Sequence, residues 1–267
     1  MLKRKLIKLT RQFRWSIQAL GGVPLQWHIG RPNFGDDLNP LLFSRLLGSS
    51  VHLCRKQYRE RILGMGSILH KADANCTVVG SGLLNPDTGT SVQVKSVLSL
   101  RGYLSAEATD LSPPFFGDPA IFLPKLVPMS TVKNYRFGFV PHHSENDRMR
   151  SLIPEDWLFI DPAWSPLKVL ASICSCECLL SRSLHGLICA DAYGVRNAWI
   201  APVDGMEGGA FKFLDYYTTT NKSKSPAQIA EQDLKREGES LEYFVSEYCF
   251  SKQEYADSLR QACLALS

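Results

Sequence analysis

The stretch Cys176-Glu177-Cys178-Leu179-Leu180-Ser181-Arg182-Ser183-Leu184-His185-Gly186-Leu187-Ile188 decides the fold. Its opening residues form an apolar-rich run of strand length, and a short polar turn follows. Ser183 then stands where a helix cap belongs, Leu184, Leu187 and Ile188 make the buried stripe of that helix, and Gly194 can end it. A strand that runs straight into a capped helix is half of a β-α-β unit, and the same succession recurs along the chain. Apolar runs at residues 25–29, 61–65, 77–80, 94–100, 136–141, 157–161, 176–181 and 198–201 are followed by Gly, Asn, Asp or Ser turns. Several of them lack alternation, as strands buried on both faces do. The expected class is α/β, with doubly wound parallel sheets.

The 267 residues, 45% of them apolar and 21% charged, can bury a substantial core and suggest two lobes. Paired prolines in Leu123-Pro124-Lys125-Leu126-Val127-Pro128, with the polar residues up to Asn134, read as the link between them. The expected organisation is a basic segment over residues 1–22, one lobe over 23–127, a second over 132–224, and C-terminal helices over 225–267. In that last part Ser225 reads as a cap and Pro226 as a first helical residue, with Leu241, Phe244, Val245 and Tyr248 at helical spacing.

Charge is unevenly placed. Lys3, Arg4, Lys5, Lys8, Arg11, Arg14 and Arg31 all precede the first acidic residue, Asp36, and the remaining 23 basic residues face 26 acidic ones. That balance offers no broad phosphate-tracking surface, so nucleic acid is not an expected partner. No apolar run reaches membrane-spanning length, and no convincing cleavage site follows the basic start, so a cytoplasmic protein is expected. Leu2, Leu6, Leu9 and Phe13 nevertheless share one side of an N-terminal helix that carries six of those cations. Such a helix suits peripheral contact with an anionic membrane, on its inner face. The eight cysteines read as reduced core residues, and the C-x-C-x-C spacing of Cys174, Cys176 and Cys178 suggests one strand face rather than a metal site. No metal or cofactor is expected.

Two loops carry the chemistry. In Asn33-Phe34-Gly35-Asp36-Asp37-Leu38-Asn39-Pro40, Asn39 reads as a helix cap and Pro40 as the first helical residue, after a strand. Loops at the carboxyl ends of parallel strands are where open α/β sheets bind ligands. In the 176–188 stretch, Arg182 and His185 flank a helix start whose free N–H groups favour anions. The glycine loops Gly64-Met65-Gly66-Ser67 and Gly80-Ser81-Gly82 lack nucleotide-fingerprint spacing and read as turns.

With those blocks in view the sequence resembles the polysaccharide pyruvyl transferase family over residues 29–217. The likeness rests on Asn33 to Pro40, on Leu100-Arg101-Gly102 with Ser105, on Gly117-Asp118-Pro119-Ala120, and on Ser183-Leu184-His185-Gly186-Leu187-Ile188 with Ala190-Asp191-Ala192, in that order. Phe139-Val140-Pro141-His142-His143 and Gly208-Gly209-Ala210-Phe211-Lys212-Phe213 with Asp215-Tyr216-Tyr217 fit a subset of members. One departure stands out: many members have Arg before Leu-His-Gly, where this chain has Ser183 and carries Arg182 one position earlier.

The resemblance implies two Rossmann-like lobes facing a cleft, similar to the GT-B glycosyltransferase architecture. It also implies transfer of the carbon skeleton of phosphoenolpyruvate to two hydroxyls of a sugar, giving a pyruvate ketal on a cell-surface polysaccharide or its lipid-linked precursor. Phosphoenolpyruvate is then a co-substrate and a saccharide the acceptor. His185 is the expected catalytic residue, with Arg101, Arg182, Ser183 and His142 on the donor and Asn33, Asp36 and Asp37 on the acceptor. His143 and Lys212 are secondary candidates. Two other readings fit this architecture: a nucleotide-sugar-dependent glycosyltransferase, and a non-catalytic sugar- or phosphate-binding partner in polysaccharide assembly.

Overall fold

A computed structural model describes residues 2–17, 22–54, 59–89, 92–201 and 208–264. It opens with helix α1 (Leu2–Ile17), followed by β1 (Val23–Gln26), α2 (Phe34–Leu47), β2 (Val51–Leu53), β3 (Arg61–Leu63), β4 (Cys76–Ser81) and β5 (Ser96–Leu100). Next come α3 (Tyr103–Thr109), β6 (Phe115–Phe116), α4 (Leu123–Leu126), β7 (Tyr135–Val140), α5 (Asn146–Arg150), β8 (Leu158–Phe159), α6 (Pro166–Cys174) and β9 (Cys176–Ser181). The chain closes with α7 (Leu184–Ala192), β10 (Arg196–Trp199), α8 (Phe211–Tyr217), α9 (Leu234–Glu239) and α10 (Lys252–Leu264).

The strands form two sheets, ordered β2-β1-β3-β4-β5-β6 and β10-β9-β7-β8, and every pairing is parallel. The expected α/β class with parallel sheets is thus present. In each sheet the first strand lies between its second and third, so β1 and β3, like β7 and β9, splay their following loops to opposite sides. Crevices for ligands open at such switch points. The short strands β2 and β6 sit at the two edges of the larger sheet, where a brief segment suffices.

Helices α2, α6 and α7 lie between the sheets. Phe34, Leu38 and Leu42 of α2 share one buried cluster with Val169, Leu170 and Ile173 of α6 and with Leu184, Leu187 and Ile188 of α7. The proline-paired stretch is not an exposed tether, because Leu123 and Val127 are buried in that same cluster. Tyr193 Oη donates to the Val127 carbonyl at 2.6 Å, which fixes the stretch against α7.

The C-terminal part holds two helices, α9 and α10, but is not helical where the sequence suggests a start. Ser225 and Pro226 do not start a helix. Ala227 instead bridges Ile200, and Phe244 and Tyr248 bridge Asn197 and Thr220. The apolar spacing of Leu241, Phe244, Val245 and Tyr248 thus belongs to an irregular strap, whose anchor is the buried Asp191 carboxylate. That carboxylate accepts from Asn197 Nδ2 (2.7 Å), Lys224 Nζ (3.2 Å), the Ser246 N–H (2.8 Å) and Tyr216 Oη (3.2 Å). The chain then returns to the first sheet through α10, where buried Tyr255 Oη donates to the Gly117 carbonyl and is hydrogen-bonded to Ser99 Oγ.

The three spaced cysteines are also distributed differently. Cys174 ends α6, while Cys176 and Cys178 of β9 enter different core clusters. Among the described residues no helix is long and apolar enough to cross a membrane. Lys3, Arg4, Lys5 and Arg14 lie on α1, but their side chains, like that of Leu2, fall outside the described residues.

Candidate active site

A cleft with a volume of about 450 Å3 opens where the carboxyl ends of both sheets meet. Loops after β1, β3 and β4 supply His28, Asn33, Asp36, Ser67, His70 and Lys71, together with Asn85 and Thr88. Loops after β7 and β9 supply His142, His143, Ser183 and His185, and α8 supplies Lys212. Five of the chain's six histidines therefore face one cleft, with two lysines and a single carboxylate.

Helix α2 begins earlier than the Asn-Pro pair suggests, at Phe34 rather than Pro40. Asn33 is the cap: its Oδ1 accepts from the Gly35 N–H at 3.2 Å, and its Nδ2 donates to Asp36 Oδ2 at 3.1 Å. Pro40 falls inside the helix and cannot donate to the Asp36 carbonyl. Buried Asn39 supplies the missing donor through Nδ2, at 3.0 Å from that carbonyl and 3.2 Å from the Met65 carbonyl.

Burial, reinforced by neighbouring Asp37, pushes the Asp36 carboxyl up to about 7. It therefore titrates near neutrality, where general acid–base groups work best. Asp37 turns away from the cleft into an ion pair with Arg11 of α1, so the structure does not bring it to the acceptor side.

His185 lies in the first turn of α7, with its ring directly against Gly35 of α2. Any Cβ at residue 35 would collide with the imidazole. Its Nε2 lies 3.8 Å from Oδ2 of Asp118, which is completely buried and also caps the turn 119–122 by accepting from the Ala120 N–H at 2.9 Å. Burial moves both groups toward their neutral forms, raising Asp118 to about 6 and lowering His185 to about 4. Arg101 and Lys212 add to the depression of His185. In the empty cleft at neutral pH an uncharged imidazole thus backs onto a carboxylate. Asp118 had no assigned role in the sequence reading, because Gly-Asp-Pro reads locally as a turn; only the fold places it behind the histidine.

Ser183 occupies the cap position of α7, but its side chain makes no capping bond and it lines the cleft. The local turn is closed instead by Ser181 Oγ, which accepts from the Ser183 N–H at 3.0 Å. His142 stands beside His143, ring centres 4.3 Å apart, and hydrogen-bonds through Nδ1 with Ser144 Oγ at 2.7 Å. Burial first, then His143 and Lys212, lowers His142 to about 3. Across the cleft Lys71 Nζ lies 3.4 Å from His28 Nδ1. Histidine placement in loops after strands was the available signal for His28, His70 and Lys71, which the sequence reading did not single out.

The two arginines expected on the donor are not on the cleft wall. Arg101 is fully buried behind it, donating through Nε to Asp215 (2.8 Å), through Nη1 to Ser67 Oγ (2.9 Å) and through Nη2 to the Leu83 carbonyl (2.7 Å). Asp215 also accepts from the Ser105 N–H and hydroxyl, so the Leu-Arg-Gly and Asp-Tyr-Tyr blocks form one ion-paired node between the strands and α8. Arg182 projects elsewhere, toward Glu145 at 3.2 Å, Met149 and the Phe139 ring, and is completely buried. Arg182 stands just past the end of β9 and Ser183 caps α7, so the one-residue offset leaves the arginine on the Glu145 side and the serine on the cleft. Among the described residues no three His, Cys, Asp or Glu side chains form a group that could hold a metal ion.

Part of the cleft lies in a stretch that is similar to a known family. Residues 91–204, which hold Arg101, Asp118, His142, His143, Ser183 and His185, match the family described as polysaccharide pyruvyl transferase. The chain is 29% identical over 225 residues to the succinoglycan biosynthesis protein ExoV of Rhizobium meliloti, covering 77% of this chain and 67% of that protein. It is also 29% identical over 211 residues to an uncharacterized protein of Acanthamoeba polyphaga mimivirus, covering 73% of each. No solved structure matches. Over residues 91–204 the chain resembles the polysaccharide pyruvyl transferase family.

Proposed function

We propose that the chain transfers the pyruvyl skeleton of phosphoenolpyruvate to two hydroxyls of a saccharide in exopolysaccharide biosynthesis; its Rhizobium relative is a succinoglycan biosynthesis protein. The observation that carries the reading is the cleft itself: five imidazoles and two ammonium groups converge on a space with one carboxylate. Such a lining suits a small ligand that bears both a phosphate and a carboxylate. Lys212, His142, His143 and Ser183 on the cleft wall receive the donor's anionic groups. Arg101 acts from behind the wall by holding Ser67 and by its charge.

Binding of the anionic donor raises the His185 pKa, and the Asp118 carboxylate stabilises the imidazolium that forms. His185 then protonates the methylene carbon. As an acceptor hydroxyl adds to the neighbouring carbon its proton passes to Asp36, which Asn33 orients. The carbon–oxygen bond to phosphate breaks, and Asp36 returns its proton to the departing phosphate. The second hydroxyl closes the ketal and reprotonates His185. One hydroxyl proton thus ends on the new methyl group and the other on phosphate, leaving both side chains as they began.

A thermal-shift comparison tests the donor. Phosphoenolpyruvate is expected to raise the Tm in proportion to the logarithm of its concentration, while nucleotide sugars leave it unchanged. Stabilisation by a nucleotide sugar alone would make the chain a glycosyltransferase instead.

A further inference from the structure

Among the described residues of helix α1, Arg11 and Trp15 hold it to the protein from one side. Arg11 donates to the Gly30 carbonyl at 2.8 Å and pairs with Asp37, while Trp15 packs edge-on against buried Trp27 with ring centres 5.7 Å apart. The other side is apolar and uncovered, with Leu6 65%, Leu9 61% and Phe13 68% exposed at spacings of three and four. Exposed Lys8 stands beside that row. The helix contains six basic residues and no acidic one. An apolar row flanked by cations matches the boundary between anionic headgroups and acyl chains. A second copy of the same helix is a poor fit, because like charges would be brought together.

The position of α1 gives this face a purpose. Its inner side reaches Asp37, next to cleft-lining Asp36, and Gly30, two residues from cleft-lining His28. Lys8 and Arg11 are among the cations that lower the pKa of His28, after burial and Lys71. The helix therefore borders the mouth of the cleft.

We propose that the outward face of α1 docks on an anionic lipid surface through Leu6, Leu9, Phe13 and exposed Lys8, aided by the net positive charge of the helix, presenting the cleft to a membrane-borne saccharide. The identity of the acceptor rests on the transferase reading. The docking does not.

The test is co-sedimentation of the full chain with vesicles of phosphatidylcholine alone or mixed with phosphatidylglycerol, without donor or acceptor. Wild type is expected to pellet with the phosphatidylglycerol vesicles only, and to be released by salt. The double substitution Leu9→Ser/Phe13→Ser is expected to weaken partition roughly tenfold or more. Circular dichroism and Tm should be unchanged, since neither side chain is buried. Equal binding to both vesicles, no binding, or no effect of the double substitution would overturn the proposal. So would a vesicle-independent dimer that the substitution dissociates, which would assign the face to a second copy. Failure of pyruvyl transfer with a soluble acceptor would leave the vesicle result intact, and the converse holds, so the two readings fail separately.

Discussion

Nε2 of His185 and Oδ2 of Asp118 face each other at 3.8 Å, one from the start of α7 and the other from the loop after β6. The pair spans the two sheets, with the carboxylate entirely buried and the imidazole 13% exposed toward the cleft. The charge of a buried carboxylate at this distance stabilises the protonated form of the ring.

Asp118→Asn keeps the shape but removes the charge. It is expected to lower kcat by on the order of 10- to 100-fold with little change in KM. In the donor complex it should also lower the pKa that governs loss of activity at high pH. A purely structural role would leave that pKa in place. His185→Ala should cost more, roughly 10²- to 10⁴-fold in kcat, in a protein that still binds donor.

Asp36 yields a pH prediction with two signs. Its native pKa of about 7 lies above the 3.8 of an unperturbed aspartate. The unfolded state therefore releases a proton more readily, and stability falls as pH rises from about 4 to 7. Asp36→Asn removes this liability and is expected to raise the Tm at pH 8, by about 2 kcal/mol or roughly 4–8 °C. The gain should vanish near pH 4. The same substitution should abolish turnover, and wild-type kcat/KM should fall as pH drops through about 7.

Gly35→Ala tests the packing of α2 against the His185 ring. The added Cβ meets the His185 imidazole, so either the ring moves or the helix does. A loss of about 1–3 kcal/mol in stability is expected, together with a fall in kcat that exceeds any change in donor affinity. Chemical denaturation and steady-state kinetics on one preparation check both.

The cations separate into two classes. Lys212→Ala is expected to weaken phosphoenolpyruvate binding by roughly one to two orders of magnitude, the worth of a charge-assisted contact. Asp215→Asn should leave donor affinity within a few-fold but strand a buried Arg101, costing about 3–5 kcal/mol of stability. Calorimetric titration and thermal melts distinguish binding from structure.

The strand runs and the β9–α7 junction were legible in the sequence because a parallel strand buried on both faces, followed by a capped helix, leaves a strong local pattern. The Asn33 loop was legible as a site, though Asn39-Pro40 mimicked a helix start that a side-chain substitute for the proline's missing N–H had made unnecessary. The C-terminal strap was not legible. Its spacing of apolar residues satisfies a helical template, but its backbone is fixed by bridges to β10 and by the distant Asp191 carboxylate. The same limit explains the arginines: Arg101 meets Asp215, and Arg182 meets Glu145, only through tertiary folding. A sequence marks a cation, and the fold decides whether an ion pair has already engaged it.

The most direct measurement is turnover in deuterium oxide with phosphoenolpyruvate and a soluble saccharide acceptor, following phosphate release and product mass together. The mechanism requires one phosphate released for each pyruvyl group gained, with a single deuterium in the new methyl group. His185→Ala should eliminate both signals. Product lacking deuterium in that methyl group, transfer that proceeds without phosphate release, or undiminished turnover by the His185→Ala protein would contradict it.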